Sequence, residues 1–101
     1  MIEYVISEVN MVGYNTKVCQ SKQIDTTDLN GDKVMMNLDK GKYFALNSVG
    51  SRIWEIIEQE IYVKDLIKIL LQEYNIDKKT CESNVLNYLG VLENEELITI
   101  K

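Results

Sequence analysis

Gly41-Lys42-Tyr43-Phe44-Ala45-Leu46-Asn47-Ser48-Val49-Gly50-Ser51-Arg52-Ile53-Trp54 is the stretch in which the apolar pattern of this chain changes period, and it decides the fold class. Lys42 to Leu46 is a short apolar run behind a turn signal, Asp39-Lys40-Gly41. It reads as a strand entered through a three-residue loop with Gly41 in the left-handed region. Asn47 or Ser48 is then a helix cap, and Val49, Ile53, Ile56 and Ile57 recur at helical spacing, with Trp54 widening the stripe.

Working upstream, Asn30-Gly31 lies between two strand-like runs and is a strong two-residue hairpin signal, since both positions tolerate positive φ. Strands are expected over about 23–29, 33–38 and 42–46, joined as an antiparallel meander. Residues 1–22 read as an N-terminal extension. Ile2, Tyr4 and Ile6 alternate as in a strand over about 2–8, and the segment through Gly13, Asn15 and Thr16 reads as loop.

Working downstream, Val63, Leu66, Ile67, Leu70 and Tyr74 mark one face of a second helix over about 63–74. A third begins at the N-cap candidate Asp77, with Ile76 and Cys81 spaced as a hydrophobic staple and Cys81, Val85, Tyr88, Leu89 and Leu92 as its stripe. Leu97 to Ile100 has room for a last strand. The expected fold is α+β: a three-stranded antiparallel β-meander followed by three α-helices, an order shared with winged-helix domains.

Composition narrows the function. The 101 residues make one domain, and 46% apolar with 27% charged residues is the balance of a globular protein. Sixteen acids against eleven bases give a net charge of −5, and Arg52 is the single arginine. Duplex readers need clustered cations, so a winged-helix nucleic-acid-binding regulator is the weaker alternative. There is no histidine, and no motif pairs a nucleophile with a base or cradles a phosphate, so no enzyme, cofactor or metal is expected. Cys81 sits on an apolar stripe with nothing to activate it, and Cys19 reads as a loop or strand residue. Met1 to Asn10 lacks a basic n-region and an apolar h-region, no run is long enough to span a bilayer, and two reduced thiols suit the cytoplasm.

In a meander the outer strands each keep one free edge. Lys42-Tyr43-Phe44-Ala45-Leu46 carries a guarding charge only at its entrance. Tyr43 and Ala45 share one face, Phe44 and Leu46 the other, and one of those faces must pack on the helices. Such an edge suits strand addition by a guest peptide. The competing expectation is that residues 1–8 or 97–100 pair with it and close it. Trp54 is expected in the core, Gly50 at a close packing contact, Tyr88 on a cleft wall, and Glu93, Glu95 and Glu96 on a solvated surface.

The segment Gly41 to Trp54, together with the later helical pattern through Val85, Leu89 and Leu92, resembles the PqqD-like recognition elements of ribosomally made peptide natural products, over about residues 23–100. The stand-alone element of lasso-peptide clusters is the most similar form. The resemblance implies a peptide-recognition domain over 23–101. It would bind the leader segment of a precursor peptide as an added antiparallel strand on Lys42, Tyr43, Phe44, Ala45 and Leu46, in the cleft beside the third helix. That helix would contribute Cys81, Asn84, Val85 and Tyr88. The resemblance also implies a companion leader peptidase and a cyclase as partners, and neither nucleic acid nor a membrane.

Overall fold

The computed structural model describes residues 13–22, 24–29, 32–37 and 40–101. The strand expected near residues 2–8, the Asn30-Gly31 turn and Asp39 lie outside the described residues.

Among the described residues six strands and three helices follow one another: β1 (Lys17–Gln20), β2 (Ile24–Leu29), β3 (Asp32–Asn37), β4 (Lys42–Leu46), α1 (Ser48–Ile56), β5 (Ile61–Tyr62), α2 (Val63–Glu73), α3 (Lys78–Asn94) and β6 (Ile98–Ile100). The α+β class, the meander and the three helices are as expected. β2, β3 and β4 pair antiparallel in sequence order, with Met35 opposite Phe44 and Val34 opposite Ala45. The return from β3 to β4 is closed by Gly41, whose φ of 64° is left-handed and whose N–H donates to the Asn37 carbonyl at 2.8 Å.

A second sheet, ordered β5-β1-β6, escaped the sequence reading. Residues 17–20, counted with the N-terminal extension, form its central strand. The edge-closing role considered for the C-terminal tail does not occur: Ile98–Ile100 pairs with β1, placing Val18 opposite Ile100 and Gln20 opposite Ile98. Further bonds lock this sheet to the helices. The Gln20 N–H donates to the Ile57 carbonyl, its side-chain amide to the Trp54 carbonyl at 2.7 Å, and the Ser21 N–H to the Leu97 carbonyl.

One core joins both sheets. Met35 and Leu46 enter it from the meander, Val18 and Ile98 from the small sheet, and Ile53, Trp54, Leu66, Ile67, Val85 and Leu89 from the helices. Trp54 is 2% exposed, so the core assignment holds. Burial of each large side chain here contributes about 1.5–3 kcal/mol. Two positions depart from the expected stripes: Val49 and Tyr74 are exposed. Val49 lies in the first turn of α1, and Tyr74 is the extended C-cap of α2, where the helical face has already ended.

The caps explain where the helices begin. Asn47 is the N-cap of α1, its Oδ1 accepting from the Gly50 N–H at 2.8 Å. Asp77 caps α3, accepting from the Thr80 N–H at 2.9 Å and the Thr80 hydroxyl at 2.7 Å. At the far end of α3, Leu97 N–H reaches the Leu92 carbonyl and Glu96 N–H the Glu93 carbonyl, the two bonds of a Schellman motif. Its left-handed position is held by Glu96, with φ of 62°.

Candidate peptide-binding edge and groove

β4 is paired with β3 on one side; on the other, no described strand pairs with it. Two contacts fix which backbone groups face which way. The Asn37 carbonyl points toward β4, as shown by its bond from Gly41. At the other end of the ladder the Ser51 hydroxyl accepts from the Lys33 N–H at 3.2 Å and donates to the Leu46 carbonyl at 3.4 Å. Ser51 thus bolts α1 to the strand ends through the pair Lys33–Leu46. Main-chain groups alternate along an antiparallel ladder. Lys42, Phe44 and Leu46 therefore direct their N–H and C=O groups to β3, and Tyr43 and Ala45 direct theirs to the open edge.

The side chains divide as the alternation requires. Leu46 is buried and Phe44 packs partly against the core. Tyr43, 70% exposed, and Ala45 lie on the outer face, where Val34 and Met36 of β3 adjoin Tyr43 in a shallow concavity with Asp25 and Thr27.

α3 runs antiparallel to β4. Near the start of the strand, Lys42 Nζ lies 3.4 Å from a Glu95 carboxylate oxygen; beyond the strand's end, the Tyr88 hydroxyl donates to the Gly50 carbonyl at 3.3 Å. Asn84, Tyr88, Val91 and Glu95 recur at i, i+4, i+7 and i+11, one face of the helix. Val91, 59% exposed, lies on that face between the two anchor points. Val91 shares this face by its helical spacing from Asn84 and Tyr88 and was not singled out in the sequence reading. Glu95 and Glu96 also proved more than solvated acids. They hold Lys42 and Lys40 respectively, at 3.4 and 3.5 Å, and so tie the turn before β4 to the end of α3.

Past Leu46 the cleft opens into a groove of about 530 Å³ between the start of α1, the end of α2 and the first half of α3. Val49, Ile53, Leu70, Tyr74, Ile76 and Val85 provide apolar walls, and Asn47, Asn75 and Asn84 provide neutral amides. Cys81, Asn84, Val85 and Tyr88, named from the sequence, all line it; the β4 side chains do not. The groove therefore continues the strand's line at its far end.

Two of these side chains have shifted titrations. Burial pushes the Tyr88 phenol up to about 12, so it stays a neutral donor across ordinary pH. Burial, reinforced by Glu82 and Asp77, raises the Cys81 thiol above its usual value. A nucleophilic thiol needs the opposite shift. Cys19, half-buried in β1, is likewise free.

Arg52 is committed to the scaffold. Its guanidinium forks onto Glu73, with Nη2 2.6 Å and Nε 2.9 Å from the carboxylate oxygens, and also touches Glu55 at 3.4 Å. Glu73 lies below the ordinary carboxylate range as a result. Among the described residues no helix is long and apolar enough to cross a membrane.

Comparison with known proteins gives this geometry a family. Among curated proteins no match to the chain was found. Among solved structures, TbiB1 in complex with the TbiA(beta) leader peptide is similar, with a TM-score of 0.74 and 30% identity over 79% of this chain and 93% of that one. Residues 32–98, which contain β3, β4 and all three helices, match the coenzyme PQQ synthesis protein D family, and the chain belongs to that PqqD family.

Proposed function

We propose that this chain is a non-catalytic recognition protein of the lasso-peptide type. It binds the leader segment of a ribosomal precursor peptide as an additional antiparallel strand on β4. It then presents the precursor to a leader peptidase and to other maturation enzymes, such as a cyclase, in the cytoplasm. The observation that carries the reading is the pair of outward-facing backbone positions, Tyr43 and Ala45, which no described strand engages. The TbiB1 complex supports it, because the partner in that structure is a leader peptide.

The geometry divides the work. Main-chain bonds to Tyr43 and Ala45 are worth about 1 kcal/mol each and carry no sequence information. Selectivity then belongs to the cleft wall of Tyr88 and Val91 and to the apolar groove beyond Leu46. A guest antiparallel to β4 places its N-terminal part at that groove. The raised Cys81 thiol and the neutral groove suit binding rather than bond cleavage.

Ala45→Pro tests the edge directly. The Ala45 N–H points away from β3, so proline removes a bond offered to the guest and none inside the sheet. Titration calorimetry with the leader peptide should show affinity falling about tenfold or more, with the helical circular dichroism unchanged. Unaltered affinity in a folded variant would remove β4 as the site.

A further inference from the structure

Among the described residues five of the eleven cations lie beside a carboxylate, and six (Lys17, Lys22, Lys64, Lys68, Lys79 and Lys101) do not. Lys33, Lys40, Lys42, Arg52 and Lys78 each lie within 4.0 Å of a carboxylate. Lys17 and Lys64 do not. Among the described residues neither has an acidic partner; both lean on the ring of Tyr62, with their Nζ atoms 5.0 and 5.3 Å from its centroid. Two ammonium groups thus share one exposed aromatic ring.

The small sheet builds this cluster. Lys17 stands directly opposite Tyr62 across the β1–β5 pair, so both side chains leave the same face of the sheet. Lys64 is in the first turn of α2, held by its N–H bond to the Tyr14 carbonyl. On the other side of β1, the Lys101 N–H donates to the Lys17 carbonyl, which brings a third lysine next to the first. Like charges gathered this way oppose folding. Lys64 also sits at the end of its helix where a cation is unfavourable. The Tyr62 ring offsets part of this cost and no carboxylate among the described residues offsets the rest, and a breach of local rules left partly open points to a demand from outside the fold.

We infer that Lys17, Tyr62 and Lys64, with Lys101 beside them, form a second docking surface, whose occupant is a short acidic segment of a partner protein. Charge complementarity selects the occupant. Two or three carboxylates match the lysines, and an apolar neighbour in the segment matches the face of Tyr62. A long polyanion is disfavoured by the net charge of −5. Lys64 and Tyr74 are ten residues apart at opposite ends of α2, about 15 Å along its axis. The surface is thus separate from the groove and can be filled at the same time, and it does not depend on what β4 binds.

The test uses the ¹⁵N-labelled full chain and an acetylated hexapeptide of alternating glutamate and alanine. Amide shifts should concentrate at Lys17, Tyr62, Lys64 and Lys101, and affinity should fall about fivefold between 20 and 200 mM salt. Lys64→Glu places an acid across the ring from Lys17. It should leave the Tm equal or higher while peptide binding weakens at least about fivefold. Should that variant not fold, Lys64→Gln must still weaken binding about twofold. The proposal is overturned by shifts scattered over the surface, by an equal response to the glutamine–alanine peptide, or by unchanged affinity in the folded variants. A response to inorganic phosphate or anionic vesicles without one to the peptide also overturns it. None of these outcomes bears on leader binding at β4, which is read separately.

Discussion

Gly50 and Tyr88 belong together. A Cβ on Gly50 would lie 2.9 Å from the Tyr88 hydroxyl oxygen and 3.2 Å from Asn47 Oδ1, so the absence of a side chain is what lets the phenol close over α1. In Gly50→Ala the tyrosine must swing, because its far end is freer than the cap. The helix gains up to about 1 kcal/mol of propensity from alanine, against about 1–3 kcal/mol for the crowding. Thermal unfolding should therefore show a loss of no more than about 2 kcal/mol. Leader-peptide affinity should fall about tenfold, since the displaced ring enters the groove. A variant that binds normally would detach Tyr88 from recognition. The spacing of the sequence foretold a close contact at Gly50 and a polar neighbour for Tyr88; that each was the other's partner, 38 residues away, was not legible.

Among the elements, α3 matters most to the site, and its start is set by one carboxylate. Bonds from the Thr80 N–H and hydroxyl hold Asp77 below the ordinary aspartate range. A carboxylate lowered on folding stabilises the protein fully above its unfolded titration, and that contribution disappears as the pH falls through the folded value. Asp77→Asn keeps a good cap without a charge. The variant and the parent should differ in Tm at pH 7, and the gap should shrink as the pH falls through and below the ordinary aspartate range; a gap that does not change with pH would separate the cap from the titration. Asp77, Asn47 and Gly41 were readable because each acts within three or four residues. β1 and β5 were not, and β6 was read as a last strand but without its partner. They are two to four residues long, and Val18 finds Ile61 and Ile100 across about half and most of the chain. Such pairing leaves little periodic trace in so short a strand. Ion pairs joining the β4 turn to the end of α3 were hidden for the same reason, since Lys42 and Glu95 are 53 residues apart.

Taken whole, the molecule is expected on its charges to be a poor reader of duplex DNA despite its winged-helix order. Its single guanidinium is spent on Glu73 and Glu55, and Lys78 near the start of α3 faces Glu82 at 4.0 Å. A gel shift on random-sequence duplex at low salt should show no retardation at micromolar protein; salt-sensitive retardation would revive that function. Several residues named from the sequence do come together in the structure. The run from Lys42 to Leu46 carried its own edge signal, and Cys81, Asn84, Val85 and Tyr88 do meet around one groove. Val91 was overlooked because an exposed valine on a helix carries no mark of its own; only the position of β4 beside it supplies one.

The neighbouring placement of β1 and β6 has a consequence for how the domain can be attached to others. Lys17 and Lys101 are joined by a backbone bond, so β1 and the end of the chain lie side by side, in the β5-β1-β6 sheet and not in the sheet that carries β4. A tether joined at Lys17 or at Lys101 would emerge from one spot, in the small sheet rather than beside β4.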